Sequence, residues 1–131
     1  MQATILVVED ECLCGMEIQE SLEKAGHRVP EVLSSGDEVL GAVLRHKPDL
    51  VVMDINLKSY IDGIDAASRL RMVRPTPVIY VTAYPEKGTE DRARRTEPFA
   101  YLQKPLEEGA LVDCVERALA AAGGAAGAAL C

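Results

Sequence analysis

The chain contains no apolar run near the ~20 residues needed to span a bilayer. Its longest candidates, Thr4 to Val8 and Leu50 to Met53, are far shorter. No basic stretch leads from Met1 into an apolar segment and a cleavage site, so a secretory signal is not expected and a cytosolic location is. Positive charge is also scarce: 14 basic against 21 acidic side chains give a net charge of -7. Such a surface repels phosphate backbones and argues against direct nucleic-acid binding; cations or basic protein surfaces suit it better.

Cysteine is present only as Cys12, Cys14, Cys114 and Cys131. The first two form C-x-C, not the redox C-x-x-C, and no histidine or second cysteine pair is spaced to complete a zinc site. Reduced, unreactive thiols are expected. His27 and His46 lack neighbours at catalytic or metal-binding spacing and read as structural. A glycine-rich phosphate cradle is missing too: the turn after the first apolar run is Glu9-Asp10-Glu11, whose charges would repel a nucleotide or flavin phosphate.

What remains is one domain's worth of ordinary globular composition, 131 residues of which 48% are apolar and 27% charged, enough to bury a sizeable core. Thr4 to Val8, Leu50 to Met53 and Val78 to Val81 are short, apolar and rich in β-branched residues, as buried strands require. His27 to Leu33, interrupted by Pro30, and Phe99 to Leu102 are weaker strand candidates suited to outer positions.

Helical spacing separates these runs. Leu13, Met16, Ile18, Leu22 and Ala25 recur before Gly26; Val39, Leu40, Val43 and Leu44 before Pro48; Ile64, Ala67, Leu70, Met72 and Val73 before Pro75. Glu86 to Thr96 is a more polar fourth helix, and Glu107 to about Ala122 a fifth. Five strand-helix repeats require right-handed crossovers and a mainly parallel sheet covered on both faces, a doubly wound α/β domain. That domain is assigned to residues 1–122, and the Ala/Gly-rich stretch 123–131 to a frayed helix end, tail or linker.

In such sheets ligands sit beyond the carboxyl ends of the strands. There the first strand delivers Glu9-Asp10-Glu11, the third Asp54, the fourth Thr82 and the fifth Gln103-Lys104-Pro105. Acids at the start of a helix are favoured by ~0.3 to 1 kcal/mol through its macrodipole, which accounts for Glu9 to Glu11 singly. It does not account for Asp54, which closes an apolar strand. Two unit charges about 5 Å apart repel by roughly 3 kcal/mol at an effective dielectric of 20, so the cluster calls for a cation. Carboxylate oxygens, a main-chain carbonyl and waters suit Mg²⁺ or Mn²⁺. With Lys104 and Thr82 as donors, the ion could surround a phosphoryl group carried by Asp54.

Four segments in this order, Ile5-Leu6-Val7-Val8-Glu9-Asp10-Glu11, Pro48-Asp49-Leu50-Val51-Val52-Met53-Asp54, Val81-Thr82-Ala83 and Tyr101-Leu102-Gln103-Lys104-Pro105, resemble the receiver domain of two-component response regulators. The resemblance spans about residues 3 to 120. It implies a flavodoxin-like (βα)5 three-layer sandwich with strand order 2-1-3-4-5. It implies Asp54 as phosphoacceptor, Asp10, Asp54 and the main-chain carbonyl of Asn56 as Mg²⁺ ligands, and Glu9 assisting through water. Lys104 would bind a phosphate oxygen, Thr82 and Tyr101 would act as a switch, and Lys104-Pro105 would be a cis peptide. The implied phosphodonor is a sensor histidine kinase or phosphotransfer protein, and the implied output a protein effector or linked domain, with homodimers known among similar receivers. Self-phosphorylation and slow self-dephosphorylation would be its only chemistry.

Three features depart from the common pattern. Glu9 stands where an aspartate is frequent. The segment from Ile55 to Asp62 is one residue longer than usual, with Lys58 in place of a proline. Thr96-Glu97-Pro98-Phe99-Ala100 resembles receivers attached to, or working beside, sensor kinases. Competing readings are a degenerate receiver used only for docking and a haloacid-dehalogenase-like phosphatase. The latter looks for Asp-x-Asp after its first strand, whereas here the candidate nucleophile ends the third. Arg92, Arg94 and Arg95 read as a solvated helix face or a partner-binding patch.

Overall fold

The computed structural model describes residues 2–84, 86–107 and 109–128. Five parallel strands form one sheet in the order β2-β1-β3-β4-β5. They are β1 (Ile5–Val8), β2 (Val32–Leu33), β3 (Leu50–Asp54), β4 (Val78–Thr82) and β5 (Ala100–Gln103). Every residue of β1, β3 and β4 is buried, because helices cover both faces and leave no polar side to the central strands. The flavodoxin-like doubly wound architecture expected from the sequence is the one observed.

The outer strands differ in extent from the sequence expectation. The run from His27 to Leu33 forms only an isolated bridge between Thr4 and Arg28 and the two-residue β2. Pro30 lies between them and has no N–H to give to the ladder. At the other edge β5 starts one residue later than expected and ends at Gln103.

The helices are α1 (Cys12–Lys24), α2 (Val39–His46, after a short 3-10 turn at Gly36–Glu38), α3 (Gly63–Val73), α4 (Lys87–Arg94) and α5 (Ala110–Ala128). Ile5, Val7, Leu50, Val52, Ile79 and Val81 point to one face of the sheet, where they pack with Ile18 and Leu22 of α1 and Leu111, Val115 and Ala118 of α5. Leu6, Val8, Val51, Met53 and Tyr80 point to the other, against Val39 and Val43 of α2, Ile64, Ala67 and Leu70 of α3, and Ala93 of α4. This alternation along each strand divides the core in two. Of the stretch read as a tail, the backbone through Ala128 continues α5, and residues 129–131, with Cys131, lie outside the described residues.

Several apolar side chains counted towards helix faces in the sequence do not enter the core. Leu13 and Met16 are 62% and 58% exposed, Met72 is 88% exposed, and Leu44 and Val73 are also in solvent. For α1 the reason is Gly15: a Cβ there would lie 3.0 Å from Val32 Cγ1. The helix backbone therefore seats directly on the sheet through Gly15, with Ile18 and Leu22 beside it, rotating Leu13 and Met16 outward.

Register levels the strand ends. Val8 pairs with Met53, Asp54 with Val81, and Thr82 with Gln103. The residues that follow β1, close β3 and β4, and follow β5 therefore emerge along one rim, and β1 and β3 flank the point where the winding reverses.

Candidate functional site

The rim holds the acidic cluster expected from the sequence. One carboxylate oxygen each from Glu9, Asp10 and Asp54 lies within 4.8 Å of the others, a spacing at which the three could hold a metal ion. Glu9 and Asp54 are buried and Asp10 is partly so. An all-oxygen donor set of this kind matches a hard divalent cation. Glu11 is not part of the cluster. It caps α1 as an exposed residue, its carboxylate accepting the Cys14 N–H at 2.6 Å. Hydrogen bonds from Cys14 hold its carboxyl below the usual range.

Lys104 supplies the cation among the protein's own groups. Its ammonium is hydrogen-bonded to Glu9 Oε1 and lies 3.8 Å from Asp54 Oδ2. The other Glu9 oxygen accepts the Glu11 N–H at 3.0 Å. Burial disfavours the Lys104 ammonium, but the Glu9 hydrogen bond and the Asp54 charge outweigh it and hold the group above its ordinary value. Burial and the neighbouring Glu9 carboxylate push Asp54 up to about 7, against the pull of Lys104. The cause is that of any crowded carboxylate pair: fewer water contacts and a like charge both oppose ionisation.

Local backbone structure fixes these side chains. The Lys104 N–H donates to the Thr82 carbonyl at 2.7 Å, which ties the end of β5 to the end of β4, and the Lys104–Pro105 peptide is cis. The Asn56 N–H donates to Asp54 Oδ1 at 3.2 Å, so the chain turns back over the Asp54 carboxylate as it leaves β3. At Gly63 a Cβ would collide with the Asp54 main-chain carbonyl. Only glycine lets α3 start this close to the strand end.

Thr82 is fully buried. Its hydroxyl oxygen accepts the Asn56 Nδ2–H at 3.0 Å and the Tyr84 N–H at 3.2 Å. Tyr101 stands next to Tyr80 across the β4–β5 ladder and packs against the α2–α3–α4 side of the core. Its hydroxyl is shielded from solvent and, among the described residues, has no hydrogen-bond partner.

Two contacts at the site had no counterpart in the sequence reading. One is the Asn56 side-chain bond to Thr82; the other is the Lys58 N–H, which donates to Asp10 Oδ2 at 2.7 Å. The unusual length of the 55–62 segment was the visible signal. That loop folds over Asp10 and is tied back by Ser59, whose hydroxyl accepts the Gly36 N–H at 2.9 Å.

Groups set aside in the sequence have other partners. His27 Nδ1 accepts the Ala3 N–H, leaving Nε2 to donate to Glu116 at 3.0 Å, and His46 pairs with Glu31. The Cys14 thiol, raised to about 11 by its hydrogen bond to Glu11 and by burial, stays protonated. Arg92 and Arg94 are tied to Asp62, Asp65 and Glu90.

Fold and site together define a doubly wound α/β domain with a carboxylate-lined pocket closed by a lysine. The sequence profile of the response regulator receiver domain matches residues 5–116, and the chain belongs to that family. It is 36% identical over 115 residues to the transcriptional regulatory protein PdtaR of Mycobacterium tuberculosis, covering 88% of this chain and 56% of that one. It is 31% identical over 119 residues to the polar-differentiation response regulator DivK of Brucella ovis, covering 88% and 95% respectively. Among solved structures, the signal receiver domain of a modulated diguanylate cyclase from Desulfovibrio desulfuricans superposes with a TM-score of 0.88 at 31% identity, over 94% of this chain and 98% of that one. The chain thus spans about half the length of PdtaR but nearly all of DivK. Among the described residues no helix is long and apolar enough to cross a membrane.

Proposed function

We propose that the protein is a phosphoacceptor receiver, in which Asp54 takes a phosphoryl group from a phosphohistidine on a sensor kinase or phosphotransfer protein and thereby changes its protein contacts. The observation that carries this reading is the setting of Asp54: a buried carboxylate raised to about 7, facing two more carboxylates within 4.8 Å and an ammonium at 3.8 Å. Such a group is poorly suited to a structural ion pair and well suited to a site completed by a divalent cation and an incoming anion.

Asp10, Asp54 and the Asn56 main-chain carbonyl would hold Mg²⁺ or Mn²⁺, with Glu9 reaching it through water. Bound there, the ion would supply the positive charge that offsets the phosphoryl oxygens. An ionised Asp54 oxygen then attacks phosphorus; the new P–O bond forms as the P–N bond to the donor imidazole breaks, and the imidazole keeps the electron pair and takes up a proton. Lys104 leaves Glu9 for an oxygen of the transferred group, and the Thr82 hydroxyl donates to another. As Thr82 turns, Tyr101 follows into the vacated space and alters the surface of β4–α4–β5. Hydrolysis of the acyl phosphate resets the site slowly, with no metabolic turnover.

A docking place for the donor adjoins the site. A groove of about 430 Å³ is lined by Ile18, Lys104, Pro105 and Leu111 among others. The output is a protein effector or a domain linked in a longer chain. The free thiols of Cys12, Cys14 and Cys114 suit the cytosol. Borohydride reduction tests the chemistry at residue level: after incubation with a phosphodonor and Mg²⁺, an aspartyl phosphate is converted to homoserine. Peptide mass spectrometry should find it at position 54. Homoserine at Asp10, or at neither residue, would overturn the assignment.

A further inference from the structure

Among the described residues, Asn56 bonds both the acceptor and the buried hydroxyl. Its main-chain N–H donates to Asp54 Oδ1 at 3.2 Å, and its side-chain Nδ2–H donates to Thr82 Oγ1 at 3.0 Å. A threonine hydroxyl has one proton to donate and two lone pairs to accept with. The Asn56 amide takes one lone pair and the Tyr84 N–H, at 3.2 Å, takes the other.

We propose that the Asn56 side chain is a positioning latch that holds Thr82 in its resting rotamer, so that this residue sets how readily the hydroxyl reaches a phosphoryl group on Asp54. The proposal rests on the phosphoacceptor reading for its functional meaning, but not for its structural content. With both lone pairs occupied by donors anchored in the loops after β3 and β4, the oxygen of Thr82 is pinned from two directions. A phosphoryl group presents only acceptor oxygens and so draws on the single proton left. Turning Oγ1 towards it stretches the Asn56 bond. Asn56 is solvent-exposed, so its released amide is re-solvated at once. The latch therefore favours the resting rotamer by no more than one net hydrogen bond, about 2- to 10-fold in population. A bias of that size tunes a switch without locking it.

Asn56→Ala removes the amide and keeps the main-chain N–H and carbonyl. The direct test is the Thr82 χ1 population, read from three-bond couplings by NMR in the unphosphorylated protein. The wild type should occupy one rotamer, and Asn56→Ala should raise a second one about 2- to 10-fold. In kinetics, Asn56→Ala should speed phosphoryl uptake from a small-molecule donor by a similar factor, and the gain should vanish in a Thr82→Val background. A simple loss of site structure would slow uptake instead. An unchanged χ1 distribution in Asn56→Ala overturns the latch, and so does a rate effect that persists when Thr82 is valine. Failure of the wild type to take up any phosphoryl group would count against the phosphoacceptor reading alone, while the couplings would still decide the latch.

Discussion

The Lys104 ammonium at the end of β5 is hydrogen-bonded to the Glu9 carboxylate at the end of β1, reaching across the two strands between them. Glu9 is almost wholly buried and Lys104 mostly so. This pair closes the carboxylate pocket and partly neutralises it. In the proposed chemistry it is also the contact that must open, since the ammonium cannot serve Glu9 and a phosphoryl oxygen equally.

Replacing Lys104 by Met should leave Glu9 and Asp54 facing each other with no counter-charge. Breaking a buried pair from one side costs about 3 kcal/mol or more. Urea denaturation without divalent ions should show a loss of about that size at neutral pH, partly recovered on adding Mg²⁺. The variant should also take up phosphoryl groups poorly. Unchanged stability in chelator would mean that the Glu9–Lys104 contact carries no net energy.

Asp54 gives the protein a pH signature. Its carboxyl rises from the ordinary 3.8 to about 7 on folding, because burial and Glu9 disfavour its charge. The native state therefore binds a proton that the unfolded chain releases more easily. The stability linked to this group is fully present below about pH 4 and is lost as pH rises through about 7. In chelator, wild-type stability should fall between pH 5 and 8 more steeply than that of Asp54→Asn, and the variant should be the more stable of the two at pH 8. Parallel curves would refute the raised Asp54 carboxyl.

The central strands and the rim were legible in the sequence because each rests on a local rule. Strands buried on both faces are continuous apolar runs, and residues after them fall at one edge whatever the loops do. Helix faces were less so. Leu13 and Met16 fit the apolar period, yet the backbone contact through Gly15 decides which side of α1 meets the sheet, and a glycine carries no weight in a hydrophobic pattern. Strand β2 was overestimated across Pro30. The Asn56–Thr82 and Lys58–Asp10 contacts depend on how one loop folds in space, which no periodicity encodes.

Asp10 links that loop to the proposed metal site. One of its oxygens already accepts the Lys58 N–H, so an ion would meet a carboxylate oriented in advance. Asp10→Ala should weaken Mg²⁺ binding about tenfold or more by isothermal titration calorimetry. Wild-type affinity in the variant would remove Asp10 from the ligand set.

Tyr101 offers a separable test of the switch. Its shielded hydroxyl has no partner among the described residues, so Tyr101→Phe should match or exceed wild-type stability, by up to about 1 kcal/mol in denaturant melts. A clear loss would reveal a hydrogen bond that the resting structure does not contain. Tyr101→Ala should still be phosphorylated while its affinity for a downstream partner no longer differs between the two states. A preserved difference would take the residue out of the switch.

The most direct test of the whole account is intact-mass spectrometry of the protein after incubation with a small-molecule phosphodonor, with Mg²⁺ and with chelator, alongside Asp54→Asn. The account predicts the added mass of a single phosphoryl group on the wild type with Mg²⁺ and on neither the chelated sample nor the variant. The same added mass on Asp54→Asn, or none on the wild type with Mg²⁺, would contradict it.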